Sequence, residues 1–73
     1  MTRAYLLLKD LFDMNPRPFN RKELAKIIGR PGWILQAQDL TALDTLMAEG
    51  YIGGHKVRRR YGLVWEYRKV TEK

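Results

Sequence analysis

The chain contains no cysteine. That excludes a disulfide framework and any thiolate metal site. His55 is its one histidine, so a histidine-built metal site has no second ligand to draw on, and no cofactor is expected. Apolar runs are only a few residues long, too short to span a bilayer. The opening Met1-Thr2-Arg3 leads into an amphipathic stretch that soon meets Lys9 and Asp10. It has neither the apolar core nor the cleavage site of a signal peptide, and a cytoplasmic protein is expected. No nucleophile stands beside a base, and no glycine-rich loop has phosphate-binding spacing. Asp10 and Asp13 are three apart on a solvated helix, which is ordinary. An enzyme is therefore not expected. The sharpest absence is local: residues 33–54 contain no lysine or arginine at all.

That gap divides the charge. The formal net charge is +6, with +4 in residues 1–32, −3 in residues 33–54 (Asp39, Asp44, Glu49) and +5 in residues 55–73. A polyanion should meet the two ends before the middle. The 73 residues are 45% hydrophobic, with two tryptophans, four tyrosines and two phenylalanines. This suits one small domain, residues 1–73, near the lower limit for a self-supporting core. Such a length leaves no room for a separate effector-binding domain, and no small-molecule effector is expected.

Apolar side chains at Ala4, Leu7, Leu8, Leu11 and Phe12 predict a first helix over residues 3–14, capped by Thr2 and stopped by Asn15-Pro16. Arg17-Pro18-Phe19 should run extended. Asn20 and Glu23 have capping-box spacing, and Phe19 with Leu24 fits a hydrophobic staple. They open a second helix, residues 21–28, with Leu24, Ala25 and Ile28 inward and Gly29 as its stop. Arg30-Pro31-Gly32 reads as a turn. A third helix is expected from Trp33 or Ile34 to Glu49, with Ala37, Leu40, Leu43, Leu46 and Met47 inward and Gly50 as its stop. Trp33 and Trp65 are most simply core residues, and the last residues, Thr71 to Lys73, should fray.

Residues 51–70 read as strands closing on a hairpin. Lys56 to Lys69 hold six basic residues in fourteen, with Val57, Tyr61, Leu63, Val64, Trp65 and Tyr67 interleaved. A three-residue loop, Arg60-Tyr61-Gly62, with Gly62 left-handed, would pair Val57 with Trp65 and Lys56 with Glu66. One face would then be apolar and the other charged. A two-residue Tyr61-Gly62 turn would instead set Arg58 against Trp65 and mix the faces, so the first register is preferred.

The stretch Phe19-Asn20-Arg21-Lys22-Glu23-Leu24-Ala25-Lys26-Ile27-Ile28-Gly29 resembles the second helix of winged helix-turn-helix DNA-binding domains. Leu43-Asp44-Thr45-Leu46-Met47-Ala48-Glu49-Gly50-Tyr51-Ile52 resembles the end of their recognition helix and the strand after it. With the first helix and the hairpin, the resemblance covers residues 3–70. It implies an α+β fold of three helices and a small antiparallel sheet, with a one- or two-residue strand before the second helix set against the C-terminal wing. It also implies that the third helix enters the major groove while the wing contacts phosphate or the minor groove. The chain departs from the pattern in two places. Gly29 to Leu40 is about four residues longer than a minimal connection. The expected recognition helix is acidic, where contact with phosphate favours Arg or Lys.

Double-stranded DNA is thus the leading partner, and regulation of transcription the leading role, by occupancy or by recruiting a partner, with the protein on the nucleoid. Candidate backbone contacts are Lys56, Arg58, Arg59, Arg60 and Arg68 of the wing, with Tyr61 stacking or wedging at its tip, and Arg21, Lys22 and Arg30 on or beside the second helix. Gln36, Gln38, Asp39 and Thr41 are the base-edge candidates, since glutamine can bond adenine and aspartate can accept from cytosine. The alternative is a protein-interaction module on the same fold, using the acidic third helix or Trp33 against a partner or a second copy. RNA bound through the basic hairpin is a further possibility.

Overall fold

The computed structural model describes residues 2–70. The expected fraying of Thr71–Lys73 lies outside them. In chain order the elements are α1 (Arg3–Met14), β1 (Phe19–Asn20), α2 (Arg21–Ile27), a 3-10 turn (Pro31–Trp33), α3 (Ala37–Ala48), β2 (Ile52–Arg59) and β3 (Gly62–Lys69). The class is α+β, three helices and one three-stranded antiparallel sheet of order β1-β3-β2.

Short-range chemistry sets the helix ends. Thr2 accepts the Tyr5 amide and starts α1. At α2 the capping box is complete: Asn20 Oδ1 accepts the Glu23 amide at 2.7 Å, and Glu23 Oε1 accepts the Asn20 amide at 2.9 Å. Phe19 and Leu24, the staple pair, are both buried in the core. After α2 and again after α3 the chain turns through a glycine with positive φ, Gly29 and Gly50. In each case the following amide reaches back to the helix, Arg30 to the Ala25 carbonyl and Tyr51 to the Leu46 carbonyl. Only glycine takes that left-handed cap without a Cβ penalty.

The core combines α1 (Tyr5, Leu8, Leu11, Phe12), Leu24 of α2, α3 (Ala42, Leu43, Leu46) and the strands (Phe19, Ile52, Tyr67). On α1, Tyr5 is buried where Leu7 was expected, and Leu7 is exposed. The Tyr5 hydroxyl donates to Glu49 at 2.6 Å, so the ring can bury while its polar end is satisfied. Lys69 and Tyr51 both bond Asp13, tying the end of α1 to the ends of β2 and β3. Asp13 is therefore not a free carboxylate.

Two expectations about the middle of the chain are corrected. The third helix starts at Ala37, after an extended Ile34 and Gln36, and Ala37 faces solvent. Trp33 is not a core residue but half-exposed, at φ +56 directly after Gly32 at φ +67. Two left-handed residues in succession carry the connection outward, and the indole comes to rest over α2.

The hairpin register also differs from both expected ones. Val57 pairs with Val64, Lys56 with Trp65, and Gly54 with Tyr67, around a two-residue Arg60-Tyr61 loop. Gly62 has the positive φ expected of it. Packing explains the shift. A slip of one residue would turn Ile52 out of the core and put Gly53 where Gly54 now lies. A Cβ on Gly54 would lie 2.7 Å from Met47 Sδ and 2.9 Å from the Tyr67 ring. Gly54→Ala should accordingly destabilise the domain by about 1–3 kcal/mol, read from the midpoint of urea unfolding, since a buried ring and a thioether must both move. An unchanged midpoint would mean that the strand shifts freely there.

Candidate nucleic-acid interface

The β2–β3 register decides where the basic groups point. Ile52, Gly54, Lys56 and Arg58 share one face of β2, with Lys69, Tyr67, Trp65 and Leu63 opposite them. Nearest the helices this face is core. Further out it carries Lys56 and Arg58. The expected separation into an apolar and a charged face therefore fails. The hairpin runs past the helical layer, and beyond it the inner face has no core to join. The other face holds His55 opposite Glu66, Val57 opposite Val64, Arg59 opposite Gly62 and Arg68 opposite Gly53.

Aromatic rings hold several cations in place. Trp65 stacks on Tyr67 with centroids 6.0 Å apart and planes 13° from parallel. The Arg21 guanidinium lies 5.5 Å from the Trp65 ring centre, and its Nε donates to the Tyr67 hydroxyl at 2.9 Å. The Lys56 ammonium lies 5.8 Å from the same indole. Trp65 thus joins the start of α2 to the β2–β3 hairpin by cation–π contact. The contribution of Gly54 to this site is indirect, because it lets the Tyr67 ring lie across the sheet. On the outer side of α2, Lys22 and Lys26 cover the Trp33 ring at 5.2 and 4.9 Å. Lys22 also lines a recess of about 320 Å³ with Asn20, Tyr61 and Val64, so the hairpin tip and the start of α2 border one space.

The remaining candidates are placed differently. Arg30 and Asp39 form a bidentate ion pair, Nε to Oδ2 at 2.8 Å and NH2 to Oδ1 at 2.7 Å. Asp39 is fully buried and also accepts the Gln36 amide at 2.8 Å, which starts α3. Arg30 beside it holds the Asp39 carboxyl below the usual carboxylate range, against the opposing effect of burial. Asp39, fully buried with both oxygens occupied, has no free group to offer DNA and is corrected from contact to internal support. Arg30 stays 18% exposed and keeps N–H donors outside the pair. Arg59 is paired with Glu66, and Arg68 sits at the hairpin base, away from the tip. Gln36 and Gln38 are exposed at the start of α3, and the Gln38 amide donates to the Gln36 side chain at 3.0 Å. Thr41 is exposed one turn on, beside a recess shared with Thr2 and Tyr5 of the α1 end.

Among the described residues, Arg21, Lys22, Lys26, Lys56, Arg58 and Arg60 have no carboxylate within ion-pairing distance. Sequence reasoning groups Lys26 with the cations of the second helix but misses the parts played by Trp65 and Leu63. The alternation Ile52, Gly54, Lys56, Arg58 carried the signal for the wing, once Ile52 is placed in the core. Comparison with known proteins gives no match: no family model, no curated protein and no solved structure matches the chain.

Proposed function

We propose that the chain is a winged helix-turn-helix domain that binds double-stranded DNA and regulates transcription by occupancy or by recruiting a partner. The observation that carries this reading is the group of cations on the β2–β3 hairpin and α2 that form no ion pair among the described residues, several of them held against aromatic rings. Pre-positioned, unpaired cations suit a polyanion, because no internal ion pair must break when phosphate binds. The element order supports the fold assignment, above all the two-residue β1 paired to the wing strand β3. The burial of Asp39 supports it too. An acidic recognition helix argued against DNA, and one of its three acids, Asp39, is internal.

The same burial weakens the protein-interaction alternative, whose motive was an acidic surface on α3. With Asp39 inside and Glu49 accepting the Tyr5 hydroxyl, Asp44 is the acid left uncommitted there. In the proposed mode, Lys22, Lys56, Arg58 and Arg60 hold the backbone, with Arg21 and Lys26 beside them, and Gln36 and Gln38 read bases. If about five phosphates are neutralised, log affinity should fall against log salt with a slope near −4 to −5. Fluorescence anisotropy with a mixed-sequence duplex measures it. A slope near zero, or no binding at low salt, would refute the proposal.

Gln36→Ala should change sequence preference more than overall affinity. Its side chain is not needed to start α3, because Asp39 accepts its backbone amide. Selection from a randomised duplex library would show the change. An equal loss on every sequence would remove Gln36 from base readout.

A further inference from the structure

The wing tip carries more than charge. Tyr61 is 76% exposed and Leu63 is 63% exposed, and neither belongs to the core. Single exposed apolar residues are ordinary. Here two large ones stand two residues apart at the end of a hairpin, among Arg58, Arg59 and Arg60. Leu63 lies directly across from Arg58, on the face of Lys56 and Trp65, while Tyr61 borders the opposite, Val64 face, so the two side chains flank the tip. Gly62 between them sits at φ +128, a conformation that side chains rarely adopt, and leaves the tip without a third side chain there. A wing that served phosphate alone would gain nothing from a solvated leucine at this position.

We propose that Tyr61 and Leu63 form an apolar wedge that enters the minor groove and unstacks a base step, so that the duplex kinks where the wing lands. This rests on the DNA-binding reading above. The charge around the wedge selects the partner: among the described residues Arg58 and Arg60 pair with no acid, and they can neutralise phosphates beside the groove. Apolar side chains driven between base steps, with basic groups beside them, bend DNA towards the major groove. The minor groove, about 6 Å wide, admits the side chains of such a tip more readily than its two strands, whose backbones lie about 4.8 Å apart. Pyrimidine–purine steps such as TA unstack most easily, so the wedge would favour them without a hydrogen bond to any base.

The test is a duplex of about 25 base pairs with a central TA step, end-labelled for energy transfer and carrying 2-aminopurine beside that step. Wild-type protein at saturation should bend it by at least about 20° and brighten the 2-aminopurine. The double variant Tyr61→Ser/Leu63→Ser should bind with the same salt slope and leave the duplex straight and stacked. Both residues are solvated, so its thermal melt should match the wild type. A straight duplex under bound wild type, or equal bending by the variant, would overturn the wedge and leave DNA binding intact. Self-association of the wild type that the variant loses, together with a straight duplex, would assign the tip to a second copy. Failure of the wild type to bind any duplex would instead overturn the DNA-binding reading itself.

Discussion

Asp39→Ala should leave the domain unfolded, or largely so, at room temperature. Asp39 is fully buried, and its two oxygens accept from Arg30 Nε, Arg30 NH2 and the Gln36 amide. Removing it strands a guanidinium that is itself only 18% exposed and deletes the bond that starts α3. Breaking a buried pair by removing one partner typically destabilises by about 3–5 kcal/mol. A core of this size rarely supplies more than about 3–5 kcal/mol in total. The loss is therefore comparable with the whole stability. Loss of dispersion in the amide NMR spectrum and of far-UV circular dichroism would register it, and a folded Asp39→Ala domain would contradict it. Replacing both partners, as Arg30→Met/Asp39→Leu, should recover part of the stability, because the stranded charge is gone while the missing α3 cap bond remains.

The same pair predicts an acid limb. The folded pKa of Asp39 is depressed, first by hydrogen bonds from Arg30 and then by the Gln36 amide and the charge of Arg30. Its contribution is therefore complete above the unfolded value, about 3.9, and is lost as pH falls through the lower folded value. Asp13 is depressed in the same sense by Lys69 and Tyr51 and adds to that limb. Stability should hold from neutral pH to about pH 4 and decline below it.

Arg58→Glu/Arg60→Glu should weaken DNA binding by about a hundredfold or more at about 50 mM salt and reduce the magnitude of the salt slope by about 2. Each lost phosphate contact removes about 0.9 from the slope, and reversal adds repulsion to that loss. The comparison that gives this result meaning is positional. Arg59 is engaged by Glu66, and Arg68 lies at the hairpin base, so Arg59→Glu and Arg68→Glu should each have a smaller effect than reversal at Arg58. If all four positions count equally, the hairpin acts as a diffuse charge, and the assignment of its tip as the contact surface fails. Anisotropy titrations at three or more salt concentrations separate these outcomes.

Capping and stop signals were legible in the sequence because they act over a few residues. Thr2 and the Asn20–Glu23 box marked the first two helix starts, and Gly29 and Gly50 marked the stops after α2 and α3. The resemblance also implied a one- or two-residue strand within Arg17–Phe19 set against the hairpin, and the strand lies at Phe19–Asn20, paired with β3. Local rules did less well on α1, where Tyr5 and not Leu7 turned inward to meet Glu49.

By itself, then, the sequence determined the element order, the helix stops, the charge of the hairpin and the α+β class, since each follows from neighbours in the chain. Tertiary structure alone decided the hairpin register, because Ile52 and Tyr67 must share the core face and only Gly54 leaves room for the Tyr67 ring and Met47. It also decided which charges are free. Asp39 looks solvated by every local rule, and its partner Arg30 lies nine residues away. The left-handed Gly32 and Trp33 fold the connection between them. Pairing of that kind depends on where a folded chain brings distant groups together, and no spacing rule along the sequence contains it.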